Sequence, residues 1–443
     1  MITNNRTQIK TILENLQIDS LARQTGFSIR RSGKIDTLSF IEGFFQMMMN
    51  GKYSLRLWAN NIAVMKGSLI SFQAIAKKLD YRQEPFFHAL FQKALLAKVQ
   101  QRLNFKIHTI LKPFARVILE DSTCFKLPKS LFEFFPGARL PHGRVACGRL
   151  QLRMDLKGNT YEAITLQSYC QNDVRFADDV LSTLQKGDLV IRDLGYWNIP
   201  VLDQIHSLGA YFLSRLHLMN SILNPENQLN IDLVDFLKQK ERQGINHVDM
   251  PILLSHKHRI PVRMVAIKLS VEQTQTRRRM SKDQRHKDSR ISDKAFYLMS
   301  WNLFVTNVAS DIWDVRAVYH AYTLRWHIEM IFKGWKSKFN FNMFFKNCNG
   351  RNPVKPEIIL LLMLTWLVLF YVQRFNEFTK LIWKNYQRIL SPLRFADFFN
   401  SHFHLLTLLT NSITLPLLAY HCCYDKRKDR ANHFEKTYMN LLS

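Results

Sequence analysis

The sequence predicts a mixed α/β core between two helical regions, and three observations carry this prediction. Residues 1 to about 105 repeat apolar side chains at helical spacing, as in IKTILENLQI and LSFIEGFFQMMM. From about residue 113, short apolar runs follow the order strand, hairpin, helix, strand, helix, strand. Beyond about residue 351 the pattern is again apolar and helical. Strands that alternate with helices in this way indicate an α/β core.

One N-terminal segment, 67–82, is open to two interpretations. Ser71 is suited to cap a short helix that carries Lys77 and Lys78, with Arg82 just beyond it. This arrangement resembles the recognition segment of a helix-turn-helix. It is equally typical of an ordinary basic surface helix, and the segment alone does not decide between the two.

The core elements follow one another between residues 115 and 216. Two apolar runs are each followed by an acid, Asp121 in ARVILED (115–121) and Asp193 in GDLVIRDLGYW (187–197). Both runs are typical of buried strands. The alternating stretch 148–166 turns at KGN and predicts a hairpin. DDVLSTL (178–184) suits a helix, and GAYFLSRL (209–216) predicts a further strand.

Residues 217–300 interrupt the core. Strand-like pieces, PVRMVAIKL and KAFYLMSWNLFVTN, stand on either side of TRRRMSKDQRHKDSR (276–290). That basic segment has seven Lys or Arg in fifteen residues and no apolar periodicity. We therefore predict a solvated loop without regular structure in the free protein, which would become ordered on a phosphate backbone.

Two apolar helices are predicted after the insertion. One continuous helix is expected from about 311 to 338. The longest apolar run, 358–372, has 15 residues, fewer than the roughly 20 that span a bilayer. We interpret it as a buried core helix, so no membrane partner is expected. The chain closes on a basic tail around Lys426, Arg427, Lys428 and Arg430.

Charge and cysteine content restrict the partner and the compartment. The formal charge of +27 suits a polyanion, with nucleic acid the first candidate and an anionic membrane surface the second. Six cysteines without zinc-type spacing fit a reducing cytoplasm better than a disulfide scaffold. The polar N-terminus shows no signal-peptide pattern.

Three acids form a candidate catalytic set. Asp121 and Asp193 stand at or near the carboxyl ends of two predicted strands, where α/β proteins commonly build their sites. Either acid alone is more typical of a turn or a helix cap. Together with Glu329 on a later helix they would need a cation. Mg²⁺ prefers such hard oxygen ligands, and two ions can drive in-line displacement at a phosphodiester.

The helix around Glu329 carries four polar residues. At about 100° per residue, Tyr322, Arg325, Glu329 and Lys336 fall within about 60° of one another, on one narrow stripe. Apolar side chains fall on the opposite face, which we expect to be buried: Leu324, Ile328, Ile331, Phe332 and Trp335. Because Arg325 and Glu329 are spaced i, i+4, a solvated ion-paired face remains the alternative.

The spacing Tyr322-x2-Arg325-x3-Glu329-x6-Lys336 resembles the YREK signature of DDE transposases of the IS4 family, which includes those of Tn5 and Tn10. LARQTGFSIRRSGKIDTLSFIEGFF (21–45) and the long insertion before Glu329 are similar to that family too. The resemblance implies an RNase H-like catalytic core. It also implies that Asp121, Asp193 and Glu329 hold two Mg²⁺ ions, with Mn²⁺ as a substitute.

Further functions follow from the resemblance alone. It implies a homodimer on double-stranded DNA that cuts at terminal inverted repeats, forms a hairpin and inserts into target DNA. Trp301 is expected to stack on a flipped base, with a core strand residue as the alternative. Arg325, Lys336 and Tyr322 are expected to contact phosphates near the scissile bond. Independently of the resemblance, Arg215 lies at a predicted strand end near the second acid and is a candidate for DNA contact, with a surface ion pair as its alternative.

The resulting domain scheme has four parts. They are a helical DNA-binding domain (1–105), an RNase H-like core (106–216 and 301–350), a β-rich insertion with the basic loop (217–300), and a helical C-terminal domain assigned to dimerisation (351–443). We expect a cytoplasmic, nucleoid-associated bacterial enzyme. Two alternatives remain, namely an RNase H-like nuclease without strand transfer and a domesticated, non-catalytic DNA-binding protein. His327 is interpreted as an ordinary helix residue rather than a metal ligand.

Overall fold

A computed structural model describes most of the chain and shows a mixed α/β architecture with helical N- and C-terminal regions. The residues it describes are 2–28, 35–49, 51, 53–99, 109–137, 143–158, 160–283, 291–346, 352, 354–406 and 414–424. The basic tail and the second half of the predicted basic loop, 284–290, lie outside these residues.

The described chain divides into two compact units. Among the described residues, the first draws on those within 2–99, 121–171 and 326–424, and the second on those within 109–120 and 172–325. Each unit has its own buried apolar core, as expected for a chain of this length.

Six helices form the N-terminal region, as the apolar spacing predicts. They are α1 (Ile2–Asn15), α2 (Ile18–Gln24), α3 (Thr37–Met49), α4 (Leu55–Lys66), α5 (Phe72–Lys77) and α6 (Glu84–Val99). The Ser71 hydroxyl accepts a hydrogen bond from the Ala74 amide at 3.2 Å, which confirms the predicted cap of the short basic helix. Gly43 allows α3 and α4 to pack closely, because a Cβ there would lie 2.8 Å from Ile62 Cγ1.

Nine strands form one mixed sheet in the order β3-β2-β1-β4-β5-β9-β8-β7-β6. They are β1 (Val117–Leu127), β2 (Ala146–Asp155), β3 (Thr160–Ser168), β4 (Leu189–Arg192), β5 (Tyr211–Arg215), β6 (Ile222–Leu223), β7 (His247–Leu254), β8 (Ile260–Lys268) and β9 (Trp301–Thr306). The hairpin β2–β3 is confirmed, and so are strands β4 and β5.

Parallel pairing positions the strand residues of the second unit that precede the two aspartates, namely 117–120 of β1 and the whole of β4. β1 pairs in parallel with β4, from Val117 opposite Leu189 to Glu120 opposite Arg192. β4 in turn pairs in parallel with β5, and α7 (Ile199–Ser207) lies between them in sequence. β5 pairs antiparallel with β9. This is the strand–helix–strand arrangement that the sequence predicts.

The insertion is more helical than its sequence pattern suggests. It contains α8 (Leu233–Arg242), α9 (Val271–Asp283) and α10 (Asp293–Leu298) beside strands β6 to β8. The predicted loop is therefore wrong for 276–283, which belongs to α9, and α10 replaces the start of the predicted strand at 294. The predicted helix at 178–184 is also wrong, because only a short 3-10 turn, Asp179–Ser182, forms there.

The single helix expected from 311 to 338 is two helices, α11 (Val315–Thr323) and α12 (Trp326–Ser337). The amides of Leu324 and Arg325 donate to the carbonyls of Ala321 and Tyr322, three residues back. Such short-range bonds tighten and end a helix. The predicted continuous helix is therefore interrupted between Tyr322 and Glu329, and Tyr322 is itself buried.

The C-terminal region contains α13 (Phe341–Lys346), α14 (Val354–Trp366), α15 (Gln373–Tyr386), α16 (Pro392–Leu406) and α17 (Thr414–His421), with a π-helical turn, Leu367–Val372, joining α14 to α15. The segment Val354–Tyr386 is long and apolar enough to cross a membrane, but 89% of its most apolar window is buried inside the protein. That burial is typical of a core helix, as predicted for 358–372.

Candidate functional site

A buried ion pair joins Glu120 of β1 to Arg192 of β4, the last two residues at which these parallel strands pair. Arg192 Nε lies 3.4 Å from Glu120 Oε2, and both side chains are buried. The Arg192 Nη1 also donates to the Ala177 carbonyl at 2.7 Å. The next residue along the chain is Asp121 after Glu120 and Asp193 after Arg192. Each aspartate therefore follows a position held by a buried, paired side chain.

Asp121 does not stand at the end of its strand, which corrects the prediction. β1 continues to Leu127, since Phe125 and Leu127 are buried and Lys126 between them is exposed. Alternation of apolar and polar residues after Asp121 indicates that the strand continues. The sequence prediction, which ends the strand at Asp121, does not use this pattern. The Asp121 carboxylate is partly exposed, and its Oδ1 accepts from the Ser122 amide at 2.8 Å. Asp193, by contrast, directly follows β4, as predicted.

Asp193 lies in a cluster of polar side chains within the second unit. The Tyr322 hydroxyl, on α11, donates to Asp193 Oδ1 at 3.3 Å. Arg325 Nε lies 3.9 Å from the same oxygen. The tyrosine is 3% exposed, and burial raises its pKa to about 12, although Arg215 and Arg325 act in the opposite direction. Tyr322 therefore stays a hydroxyl donor at neutral pH.

Arg215 completes this cluster. It ends β5, is exposed, and places its guanidinium carbon 5.4 Å from the centroid of the Tyr322 ring. The guanidinium carbon of Arg325 is 5.8 Å from the same centroid. Cations at this distance from an aromatic ring are attracted to its face. The structure thus brings together four of the residues singled out from the sequence, namely Asp193, Arg215, Tyr322 and Arg325.

Glu329 and Lys336 lie on α12 in the first unit. Seven residues apart, they share one face of the helix, and both are partly exposed. Lys336 Nζ is 5.1 Å from the centroid of the Phe125 ring on β1. Burial lowers the pKa of Lys336, with Cys124 and Cys147 acting in the opposite direction. Lys336 therefore lies against the strand that also carries Asp121.

Trp301 occupies the core of the second unit. It begins β9, is 2% exposed and packs in the large apolar cluster of that unit. Its carbonyl accepts from Arg277 Nη1 at 2.9 Å, and Lys268 Nζ lies 5.7 Å from its ring centroid. Stacking on a flipped base requires the ring to leave this core, while the alternative reading, a buried strand residue, describes its present position.

Arg277 and Tyr319 are polar residues near Arg215 of the polar cluster around Asp193, and the sequence reasoning missed both. Arg277, on α9, donates to the carbonyls of Met299 and Trp301 and to Asn302 Oδ1. Burial, together with the charge of Arg215, lowers the pKa of Arg277 to about 10, while Tyr319 acts in the opposite direction. For Arg277 the sequence signal is the excess of basic residues in 276–290, which predicts a loop.

His327 is buried, as its interpretation as an ordinary helix residue requires. Burial lowers the pKa of its imidazole to about 4. The ring is therefore neutral across the physiological range. Its surroundings include apolar side chains of the first unit, such as Trp335, Phe339 and Tyr371.

Known proteins match this chain over its core and beyond. The family model described as "Transposase DDE domain" matches residues 112–367, which include Asp121, Asp193 and Glu329. The transposase for insertion sequence element IS231B of Bacillus thuringiensis subsp. berliner is 27% identical over 345 residues, 73% of this chain and 71% of the relative. The IS231C transposase of the same organism is 25% identical over 443 residues, covering 95% and 90% of the two chains.

A relative from another genus agrees with these matches. The transposase for insertion sequence element IS1151 of Clostridium perfringens is 27% identical over 365 residues, 76% of this chain and 74% of its own. The family match covers more than half of the chain and includes the three acids of the predicted set. The chain belongs to the family of DDE transposases.

Proposed function

We propose that this protein is the transposase of an insertion sequence and moves DNA by a cut-and-paste route. It would bind terminal inverted repeats, hydrolyse the transferred strand and join the freed 3′ hydroxyl to target DNA. The cluster in which Asp193 faces Tyr322 and Arg325, with Arg215 against the Tyr322 ring, is the observation that carries this proposal. Cleavage of a phosphodiester by metal ions requires a carboxylate that can bind the metal, and nearby hydroxyl and guanidinium groups that can bind phosphate oxygens.

The donor set fits a hard divalent cation. Asp121, Asp193 and Glu329 all offer carboxylate oxygens and are partly exposed, and Mg²⁺ prefers such oxygens. We infer that these three residues hold two Mg²⁺ ions, with Mn²⁺ as a substitute. When bound, the ions would activate the attacking water or hydroxyl and stabilise the leaving oxygen. The match to the DDE family supports dependence on a divalent metal.

The protein's own side chains would then change partners. In the free protein, Tyr322 and Arg325 face the Asp193 carboxylate. Once that carboxylate binds a cation, its need for these two partners falls. The Tyr322 hydroxyl and the Arg325 guanidinium could then donate to phosphate oxygens, Arg325 in bidentate fashion. Lys336 would add a positive charge from α12, and Arg215 another from β5.

The remaining parts of the proposal rest on the family resemblance and on charge. A hairpin intermediate would involve Trp301 after its ring leaves the core. A homodimer on the DNA would use the helical C-terminal domain, 351–443, and the N-terminal helices, 1–105, would bind the repeats. The charge of +27 supports a polyanionic partner and a nucleoid location in the cytoplasm.

Replacing each acid separately tests the proposal. We expect Asp121→Ala, Asp193→Ala and Glu329→Ala to abolish Mg²⁺-dependent cleavage of a linear DNA that carries the element's ends, while end binding persists. Asp311→Ala serves as the control, because this aspartate is exposed and lies outside the three-acid set. Wild-type cleavage by any one of the three variants would refute the assignment.

The DNA products separate the proposal from its alternatives. Strand-transfer products joined to target DNA support a transposase. Cleavage without joining would identify an RNase H-like nuclease instead. End binding without cleavage by the wild-type protein, unchanged in Asp121→Ala, would identify a domesticated DNA-binding protein.

A further inference from the structure

Three side chains of metal-ligating type meet in the first unit, outside the three-acid set. Glu84 and His88 lie on α6, and Glu357 lies on α14. His88 Nε2 is 2.9 Å from Glu357 Oε1 and 3.4 Å from Glu84 Oε1. One ligand atom from each residue lies within 4.8 Å of the other two. Two helices 269 residues apart in sequence thus converge on one imidazole nitrogen.

The spacing on α6 explains half of this arrangement. Residues i and i+4 lie on one face of a helix, so Glu84 and His88 point the same way. Metal-binding helices use the same spacing to offer two ligands to one ion. The third ligand comes from the first turn of α14, where Glu357 also benefits from the positive end of the helix dipole.

The distances suit a small tetrahedral cation. Zinc binds histidine nitrogen and carboxylate oxygen at about 2.0–2.2 Å, which separates its ligands by about 3.4 Å in a tetrahedron. The His88–Glu84 separation of 3.4 Å matches that value, and the His88–Glu357 separation of 2.9 Å is shorter than it. The three side chains are 45%, 33% and 30% exposed, so a water molecule has access as a fourth ligand.

A proton satisfies this geometry less well than a metal does. His88 Nε2 can carry one proton, yet two carboxylate oxygens approach it. A cation in place of that proton would interact with both carboxylates at once and neutralise their charge. Imidazole nitrogen and carboxylate oxygen are both zinc ligands, and zinc sites with three protein ligands can take a water as the fourth.

We propose that Glu84, His88 and Glu357 form a binding site for a zinc-class divalent cation that links helix α6 to helix α14. The site is separate from Asp121, Asp193 and Glu329 and does not depend on the proposed function. Because its ligands come from the N-terminal and C-terminal helical regions, a bound cation connects segments distant in sequence. Its expected effect is structural: metal binding to the folded chain raises stability.

Metal titration of the full chain tests this site. The protein carries Asp193→Ala throughout, so that the proposed catalytic ions contribute little, and is first stripped with a chelator. Zn²⁺ and Co²⁺ are then added, and the dissociation constant, the melting temperature and the Co²⁺ absorption spectrum are measured. We expect one tight site, a melting temperature that rises by several degrees, and a visible spectrum of tetrahedral type.

Matched variants locate the cation. His88→Gln and Glu357→Gln should each weaken Zn²⁺ binding by at least about tenfold and remove the rise in melting temperature. The controls are His256→Gln and Glu226→Gln, which change exposed residues elsewhere and should bind as the parent does. If His88→Gln does not fold, Glu84→Gln supplies the same comparison, because it keeps the imidazole and removes one carboxylate charge.

Two results would overturn the proposal. Equal Zn²⁺ affinity in the parent and the His88→Gln variant would place the ion elsewhere. A parent whose melting temperature does not respond to Zn²⁺ or Co²⁺ would leave only a histidine–carboxylate ion pair. Neither result bears on DNA cleavage, so this proposal and the proposed transposase activity stand or fall separately.

Discussion

The hydroxyl of the buried Tyr322, on helix α11, donates a hydrogen bond to Asp193 Oδ1 at 3.3 Å. Asp193 is the residue that directly follows β4. The bond joins an acid of the predicted catalytic set to a residue of the YREK pattern. Burial holds the pKa of Tyr322 at about 12, so the phenol keeps its proton at working pH. One tyrosine thereby orients a carboxylate, and its hydroxyl is the donor that we propose for a phosphate.

Tyr322→Phe tests the role of that hydroxyl. The ring keeps its buried position, so we expect a small change in melting temperature. Hydrogen bonds to charged groups contribute about 1.5–3 kcal/mol, and the rate of DNA cleavage should fall by roughly 10- to 100-fold. Tyr211→Phe, which alters a partly buried tyrosine on β5, is the control. An unchanged cleavage rate in Tyr322→Phe would exclude a role for the hydroxyl in the reaction.

The two arginines around Tyr322 should appear in the salt dependence of DNA binding. Each phosphate contact contributes about one unit to the slope of log K against log salt concentration. We expect Arg215→Ala and Arg325→Ala each to lower that slope by about one, measured by fluorescence anisotropy on an end-bearing duplex. Arg242→Ala, at the exposed end of α8, should leave it unchanged. A wild-type slope in Arg215→Ala would favour the alternative of a surface ion pair.

Sequence patterns predicted the parts of the fold in which local preference and burial agree. The hairpin β2–β3, strands β4 and β5, the Ser71 cap and the buried run at 358–372 all carry a strong period or a clear turn signal. Tyr322 and Arg325 could be chosen because they belong to a motif of fixed spacing, and Asp193 and Arg215 because they stand at the ends of predicted strands. Their mutual contacts could not be predicted, since they depend on how separate elements pack.

The errors share a physical cause, which is tertiary contact overriding local pattern. The segment 276–283 looked like a solvated loop, but Arg277 binds three acceptors and Arg278 lies 3.9 Å from the centroid of the Phe296 ring. These contacts favour a helix that has little apolar periodicity of its own. The break between α11 and α12 has no Gly or Pro to announce it, because the sequence there is Tyr-Thr-Leu-Arg.

Arg277 should control the order of α9. We expect Arg277→Ala to remove the three hydrogen bonds to Met299, Trp301 and Asn302, and so to loosen the helix without unfolding the protein. Limited trypsin digestion should then cut within 271–283 several-fold faster. Arg279→Ala provides the control, since it removes a basic residue of the same helix. Equal digestion of the two variants would show that Arg277 does not anchor α9.

His327 should make stability fall at acid pH. Its pKa is about 4 in the folded state against an ordinary value of 6.5, so above pH 6.5 both states are neutral and nothing is lost. Between pH 6.5 and 4 the unfolded chain binds a proton that the folded chain does not. The free energy of unfolding should therefore drop, by roughly 3 kcal/mol in total.

The comparison that isolates this effect uses His327→Gln. All other titrating groups are common to the two proteins. The free energy of unfolding of the wild type, minus that of the variant, should therefore fall as pH falls from 7 to 4. Denaturant unfolding at several pH values measures it. A difference that stays constant over this range would mean that His327 is protonated inside the folded protein.

Trp301 supplies the last prediction, because its burial and its expected role conflict. Trp301→Ala would leave a large cavity in the core of the second unit and cost about 3–5 kcal/mol of stability, so lost activity could reflect unfolding alone. Trp301→Phe keeps most of the apolar volume but offers a smaller face for a base. If the ring leaves the core to stack on a flipped base, first-strand nicking should continue in Trp301→Phe while hairpin formation slows. Trp313→Phe, at another fully buried tryptophan of the same unit, controls for packing. Equal loss of nicking and hairpin formation in Trp301→Phe would assign this residue to the core alone.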